Sequence, residues 1–155
     1  MTYTFFFTEK SPFSQWYPCA FTVEGIAFTC AEQFMMHGKA LLFGDHEIAK
    51  QVLAAAHPKQ HKALGRKVTP FDDVLWKAKR VEIVKAGSRA KFTQNEELRA
   101  LLLATKGTEL VEASPYDRIW GIGLAATDPR AQDPNTWRGQ NLLGKILTEL
   151  RDELC

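Results

Sequence analysis

The sequence predicts an α+β fold, one predominantly helical domain over residues 1–155 with a small N-terminal sheet. Three observations predict it. Apolar residues recur at helical spacing in several stretches whose ends carry cap and stop signals. Short aromatic and β-branched runs cluster near the N-terminus. A chain of 155 residues, 45% of them hydrophobic, can bury about two-thirds of its unfolded surface in one core. No internal repeat, low-complexity tract or linker divides it.

The elements follow in order. Tyr3 to Phe7 reads as a strand. Phe21-Thr22-Val23 and Ile26-Ala27-Phe28 flank Glu24-Gly25 and read as a tight hairpin. Thr29 is placed to cap a helix ending near Gly44. Asp45 caps a second helix to about Ala56, stopped by His57-Pro58. Pro58 starts a third that ends at Gly65. A long helical pattern runs from about Val74 to Phe92, and Asn95 caps another from Glu96 to about Lys106. Leu110 to Ala113 is a short strand, and Ile119 to Gly123 can be extended. Thr127 to Trp137 reads as a loop, and Asn141 caps a final helix with the apolar stripe Leu143, Ile146, Leu147, Leu150 and Leu154.

Bulk properties narrow the class. A net charge of +2 is too mild to argue for nucleic acid and does not exclude it. No apolar run approaches the roughly 18 residues a membrane span needs. The start lacks the basic region and small-residue cleavage site of a signal peptide. Cys19, Cys30 and Cys155 are odd in number and widely spaced, which points to a reducing, cytoplasmic setting rather than a disulfide framework.

The strongest chemical signal is Thr29 to Lys39. Glu32 and Lys39 lie seven residues apart and so return to nearly one helix face. A carboxylate beside a partly desolvated lysine can activate a nitrogen nucleophile. The plainer reading is a capping box, with Glu32 reaching back to the Thr29 backbone N–H, and Lys39 solvated. Trp76 fits a core aromatic or a stacking platform for a base. Ser14-Gln15-Trp16 offers polar groups for a ligand, although turn chemistry explains it equally well. In Asp117 to Gly123, Gly121 and Gly123 beside Trp120 allow close backbone approach to a ligand. The helix start at Asn141 can receive a phosphate, or Asn141 can simply cap it. His57 and His61 lack a third ligand, so neither a metal nor another cofactor is expected.

Taken together, these segments resemble the NADAR family of YbiA-like N-glycosidases over Phe6 to Leu154. The resemblance rests on Phe13-Ser14-Gln15-Trp16, Ala31-Glu32-Gln33-Phe34 with Lys39, Gly65-Arg66, Phe71 with Trp76, Lys91-Phe92, Leu110-Val111-Glu112, Asp117 to Gly123, and Gly139 to Gly144 with Arg151. Many members carry Ser-Asn-Phe where this chain has Ser14-Gln15-Trp16. The resemblance implies hydrolysis of an N-glycosidic bond at C1 of ribose. It implies two substrate classes, phosphoribosylamino-pyrimidine intermediates of riboflavin biosynthesis and ADP-ribose on guanine of nucleic acid such as DNA. It places Glu32, Trp76 and Asp117 on functional positions and matches Lys39 to a lysine that forms a Schiff base with the sugar. The expected catalytic set is therefore Glu32, Lys39 and Asp117. Ser14, Trp16, Trp76, Trp120, Gly121, Gly123 and Asn141 are expected to hold substrate. The rival expectation is a module that binds ADP-ribose or a nucleotide without cleaving it.

Overall fold

A computed structural model describes residues 2–155. The described residues form two compact units: Gln15–Asn95, and residues 2–14 together with Glu96–Cys155. The α+β, mostly helical architecture is as the sequence predicts.

In the Gln15–Asn95 unit, β2 (Phe21–Val23) and β3 (Ile26–Phe28) form an antiparallel hairpin. Its turn needs two left-handed residues, supplied by Glu24 at φ 50 and Gly25 at φ 79. Four helices follow: α1 (Ala31–Leu42), α2 (His46–Ala54), α3 (Pro58–Gly65) and α4 (Asp73–Thr93). Helix α1 is central and packs on the other three. Its buried residues include Glu32, Gln33 and His37 as well as Met35, Met36 and Ala40. Two glycines set the α1–α4 approach. A Cβ on Gly38 would lie 2.8 Å from Ile83 Cγ2, and one on Gly87 would run into the Phe34 ring.

Caps explain the helix starts. Asp45 Oδ1 accepts from Ile48 N–H, and Asp72 Oδ1 accepts from Val74 N–H. His57 caps α3 through Nδ1, which accepts from Lys59 N–H at 3.0 Å, while Gln60 Oε1 accepts from His57 N–H. The cap of α1 departs from expectation. Its N-cap is Cys30, not Thr29, and Gln33 rather than Glu32 reaches back, its Oε1 accepting from Thr29 N–H at 2.8 Å. Shifting the start by one residue moves the capping position from 32 to 33. Asn95 also differs: its amide donates to Lys91 O and Ala20 O, closing the end of α4.

In the other unit, β1 (Tyr3–Phe6) pairs in parallel with β4 (Glu109–Glu112), Tyr3 opposite Glu109 and Phe6 opposite Glu112. Helix α6 (Leu142–Leu154) packs on β4, and α5 (Glu96–Leu103) on α6. Val111, Ile122, Leu124 and Ala131 form a buried cluster, covered by Tyr3, Phe5 and Trp137. The 119–123 segment is not a strand. The 127–137 loop holds two 3-10 turns, Pro129–Gln132 and Pro134–Thr136, capped by Asp128 and Asp133.

Candidate active site

Glu32 and Lys39 both lie on α1, and their charges reach each other. Glu32 sits in the first turn and is 5% exposed. Its backbone N–H donates to Gln15 O at 2.9 Å, which ties the Gln15–Trp16 segment to the helix start. With Gln33 taking the Thr29 N–H, the Glu32 carboxylate is not the reach-back arm of a capping box.

Lys39 lies two turns along, partly buried. Its Nζ stands over two rings, 4.9 Å from the Phe71 centroid and 5.4 Å from that of Trp76. Phe71 in turn packs on Phe43 at 5.2 Å. Burial and then the Arg66 guanidinium push the Lys39 pKa below the usual lysine range, and Glu32 partly offsets them. A larger fraction of neutral, nucleophilic amine results. The aromatic faces favour an ammonium and act in the opposite direction.

Two of these neighbours, Arg66 and Phe71, carry no role in the sequence reading beyond their place in the family motif. Arg66 follows α3 as its C-cap and is exposed. Phe71 is 47% exposed, on the short segment before α4. Trp76 is buried at 9%, so it serves the core while lending one face to the lysine. Trp16 is partly buried and meets His57 edge-on at 6.1 Å.

A second lysine in this unit is shifted further. Lys91 is 1% exposed, its Nζ lies 5.7 Å from the Tyr17 ring, and burial lowers its pKa to about 8. Its burial keeps it from meeting a solute, so of these two lysines it is Lys39 that combines a lowered pKa with access. His61 is committed on both ring nitrogens, to Ala55 O at 2.8 Å and Cys30 Sγ at 3.6 Å. Burial raises the Cys30 pKa to about 11, so it remains a thiol.

The remaining candidates belong to the other unit. Ser14 is buried, and its backbone N–H donates to Ser11 O. Asp117 builds a turn, with Oδ1 accepting from Ile119 N–H and Trp120 N–H at 2.9 Å each. Several backbone N–H groups in and after this turn bond within the chain. Ile122 N–H donates to Glu112 O, and Gly123 N–H to Asp117 O. Leu142 and Leu143, the first residues of α6, donate to Ile119 O and Trp120 O. Gly121 is small because Glu112 O would lie 2.8 Å from its Cβ. Gly123 has φ 70 and is flanked by Arg118 and Arg138. Asn141 is fully buried in the left-handed region at φ 53 and makes no side-chain cap. Its Oδ1 accepts from Glu112 N–H, and its Nδ2 donates to Leu110 O. Among the described residues, the Gly123 N–H, the N–H groups of Leu142 and Leu143, and both ends of the Asn141 amide are therefore occupied within the chain. These groups stitch α6 and the 117–123 turn to β4.

Comparison with known proteins gives one consistent answer. The NADAR domain family matches residues 4–155. N-glycosidase R617 of Acanthamoeba polyphaga mimivirus is 43% identical over 91% of this chain and 86% of its own length. The riboflavin biosynthesis protein VVA0006 of Vibrio vulnificus is 34% identical over 91% of this chain, a match that spans 35% of the larger protein. The solution structure of YbiA from Escherichia coli superposes with a TM-score of 0.80 at 28% identity, covering 99% of this chain and 84% of that one.

Proposed function

The chain belongs to the NADAR domain family, and from that premise we propose that it hydrolyses an N-glycosidic bond at C1 of a phosphorylated ribose. The observation that carries the reading is Lys39, an accessible amine with a lowered pKa, held over Phe71 and Trp76 within reach of the Glu32 charge. Relatives named as N-glycosidase and riboflavin biosynthesis protein support it.

The chemistry follows from the bond to be broken. The C1–N bond cleaves with its electron pair leaving on the base nitrogen, which takes up a proton. The positive character left at C1 is eased by a nearby carboxylate. The Lys39 amine then bonds to C1, and the ring oxygen departs with a proton, leaving an imine of the opened sugar. Water adds to C1, Nζ leaves, and free sugar and amine are restored. Glu32 moves the protons in these steps. Trp76 borders the sugar or base, with Trp16 as its companion. Asp117 stands as a catalytic candidate on its family position, and its turn leaves one carboxylate oxygen unused. Ser14 and Trp120 stand as substrate-binding candidates on the resemblance alone. Between the two substrate classes, ADP-ribosylated guanine is favoured over the riboflavin precursor. A pI near 8.4 suits either anion.

The test is incubation with an ADP-ribosyl-guanine DNA and with a phosphoribosylamino-pyrimidine, with mass spectrometry of the released base and sugar. Release of base from either supports the hydrolase, and the larger kcat/KM ranks the substrates. Ligand bound at equilibrium but never cleaved would make the protein a binding module instead.

A further inference from the structure

Two positive side chains kept side by side repel each other unless an anion joins them. Arg66 and Lys39 are such a pair: the guanidinium is close enough to disfavour a proton on the amine. The geometry behind this is local. Gly65 ends α3, and a side chain there would run into Met36 on α1. Met36 and Lys39 are three residues apart, so they share a helix face. The close approach at Gly65 thus sets Arg66 against the turn that carries Lys39. Arg66 is exposed, and among the described residues its guanidinium makes no hydrogen bond or ion pair. Its five N–H donors are unspent. By contrast, the N–H groups of Gly123, Leu142 and Leu143 donate to backbone carbonyls.

We propose that Arg66 binds the C5 phosphoryl group of the ribose whose C1 meets Lys39. The inference rests on the hydrolase reading and adds the residue that selects a phosphorylated sugar. A guanidinium holds a phosphate through two parallel N–H···O bonds, which fixes orientation as well as affinity. C1 and the C5 oxygen are opposite ends of one five-carbon sugar, so two neighbouring cationic groups can hold both ends. The pairing also suits the chemistry in time. Before binding, Arg66 disfavours the ammonium and so favours the neutral amine. Once phosphate is seated, the positive charge of the protonated imine faces a neutralised guanidinium. The phosphoryl group can be the monoester of ribose 5-phosphate or one end of the ADP-ribose diphosphate, and the chemistry at Arg66 is the same.

The test is equilibrium titration of the wild type, Arg66→Ala and Arg66→Lys with ribose, ribose 5-phosphate and ADP-ribose. The wild type is expected to prefer the phosphorylated sugars. Arg66→Ala is expected to reduce that preference about tenfold or more, the scale of a lost charge-assisted bond. Arg66→Lys is expected to recover part of it, as a point charge without the fork. A loss confined to ADP-ribose assigns the diphosphate as the natural source, and one confined to ribose 5-phosphate assigns the monoester. An undiminished preference in Arg66→Ala, with an unchanged melting temperature, would overturn the proposal. Failure of the hydrolase reading registers separately, as no base released by the wild type while phosphate-dependent binding still falls in Arg66→Ala.

Discussion

Along α1 and its neighbours, the amine of Lys39 and the guanidinium of Arg66 make no hydrogen bond or ion pair among the described residues. In the 117–123 turn and at the start of α6, the corresponding polar groups are occupied: Asp117 Oδ1 twice over, the N–H groups of Ile122, Gly123, Leu142 and Leu143, and both ends of the Asn141 amide. The sequence marks both regions with the same signs, a charged residue, a tryptophan and glycines. What separates them is whether hydrogen-bonding capacity is spent on the fold. A buried polar group that is already bonded stabilises the fold, and one left accessible beside like charge is poised for a ligand. The comparison assigns chemistry to the first region and mainly scaffolding to the second.

The largest effect expected from a variant of the first region, short of removing Lys39, is at Glu32. Glu32→Gln keeps the size and hydrogen-bonding shape but cannot shuttle a proton, so kcat/KM should fall by roughly 10²-fold. Melting temperature should hardly change, because Gln33 provides the reach-back bond at this helix start. A fully active variant would break the assignment.

Asp117→Asn probes the boundary of the comparison. The amide oxygen can still accept from Ile119 and Trp120, so the turn and the melting temperature should be kept. Loss of the carboxylate charge is expected to lower kcat/KM by about tenfold, the size of one weakened hydrogen bond. A loss as large as that of Glu32→Gln would place Asp117 among the proton-transfer groups.

Asn141→Ala should do the reverse. It strips partners from Glu112 N–H and Leu110 O in a buried place, at a cost of about 2–4 kcal/mol in stability. The folded fraction should keep its KM. A raised KM with unchanged stability would return Asn141 to the substrate site.

The smallest effect is on pH-dependent stability. Lys91 has a folded pKa of about 8 against 10.5 for a free lysine, so between those values the unfolded chain binds the extra proton and stability rises with pH. Cys30, raised to about 11 from 9.0, holds its proton longer in the folded chain and opposes that rise above pH 9. Melting temperature should therefore climb from pH 8 to 9 and flatten beyond it. Lys91→Met should remove the climb; a climb of equal size in that variant would assign it to another group.

Local signals carried well from sequence to structure. Glu24-Gly25 marked the hairpin because only a few residues tolerate positive φ at both turn positions. Asp45, His57-Pro58 and Gly65 bounded their helices by short-range cap and stop chemistry. Long-range pairing did not carry. Tyr3–Phe6 finds its parallel partner at Glu109–Glu112, and nothing in a four-residue strand names a partner so distant. The site was half legible. Glu32 and Lys39 followed from helical spacing, but Arg66 reaches Lys39 only because α3 folds back onto Met36. The packing around Gly121 and Gly123 was not legible, because glycine reads alike whether a ligand or a neighbouring backbone makes the close approach.

The most direct test of the account is to add borohydride during turnover and map the protein by peptide mass spectrometry, alongside the same experiment on Lys39→Ala. Reduction traps an imine as a stable amine. The account predicts a sugar adduct on Lys39 in the wild type, and loss of both adduct and hydrolysis in the variant, by about 10³-fold or more for a missing nucleophile. A wild type without adduct, together with a Lys39→Ala protein that still releases base, would contradict it.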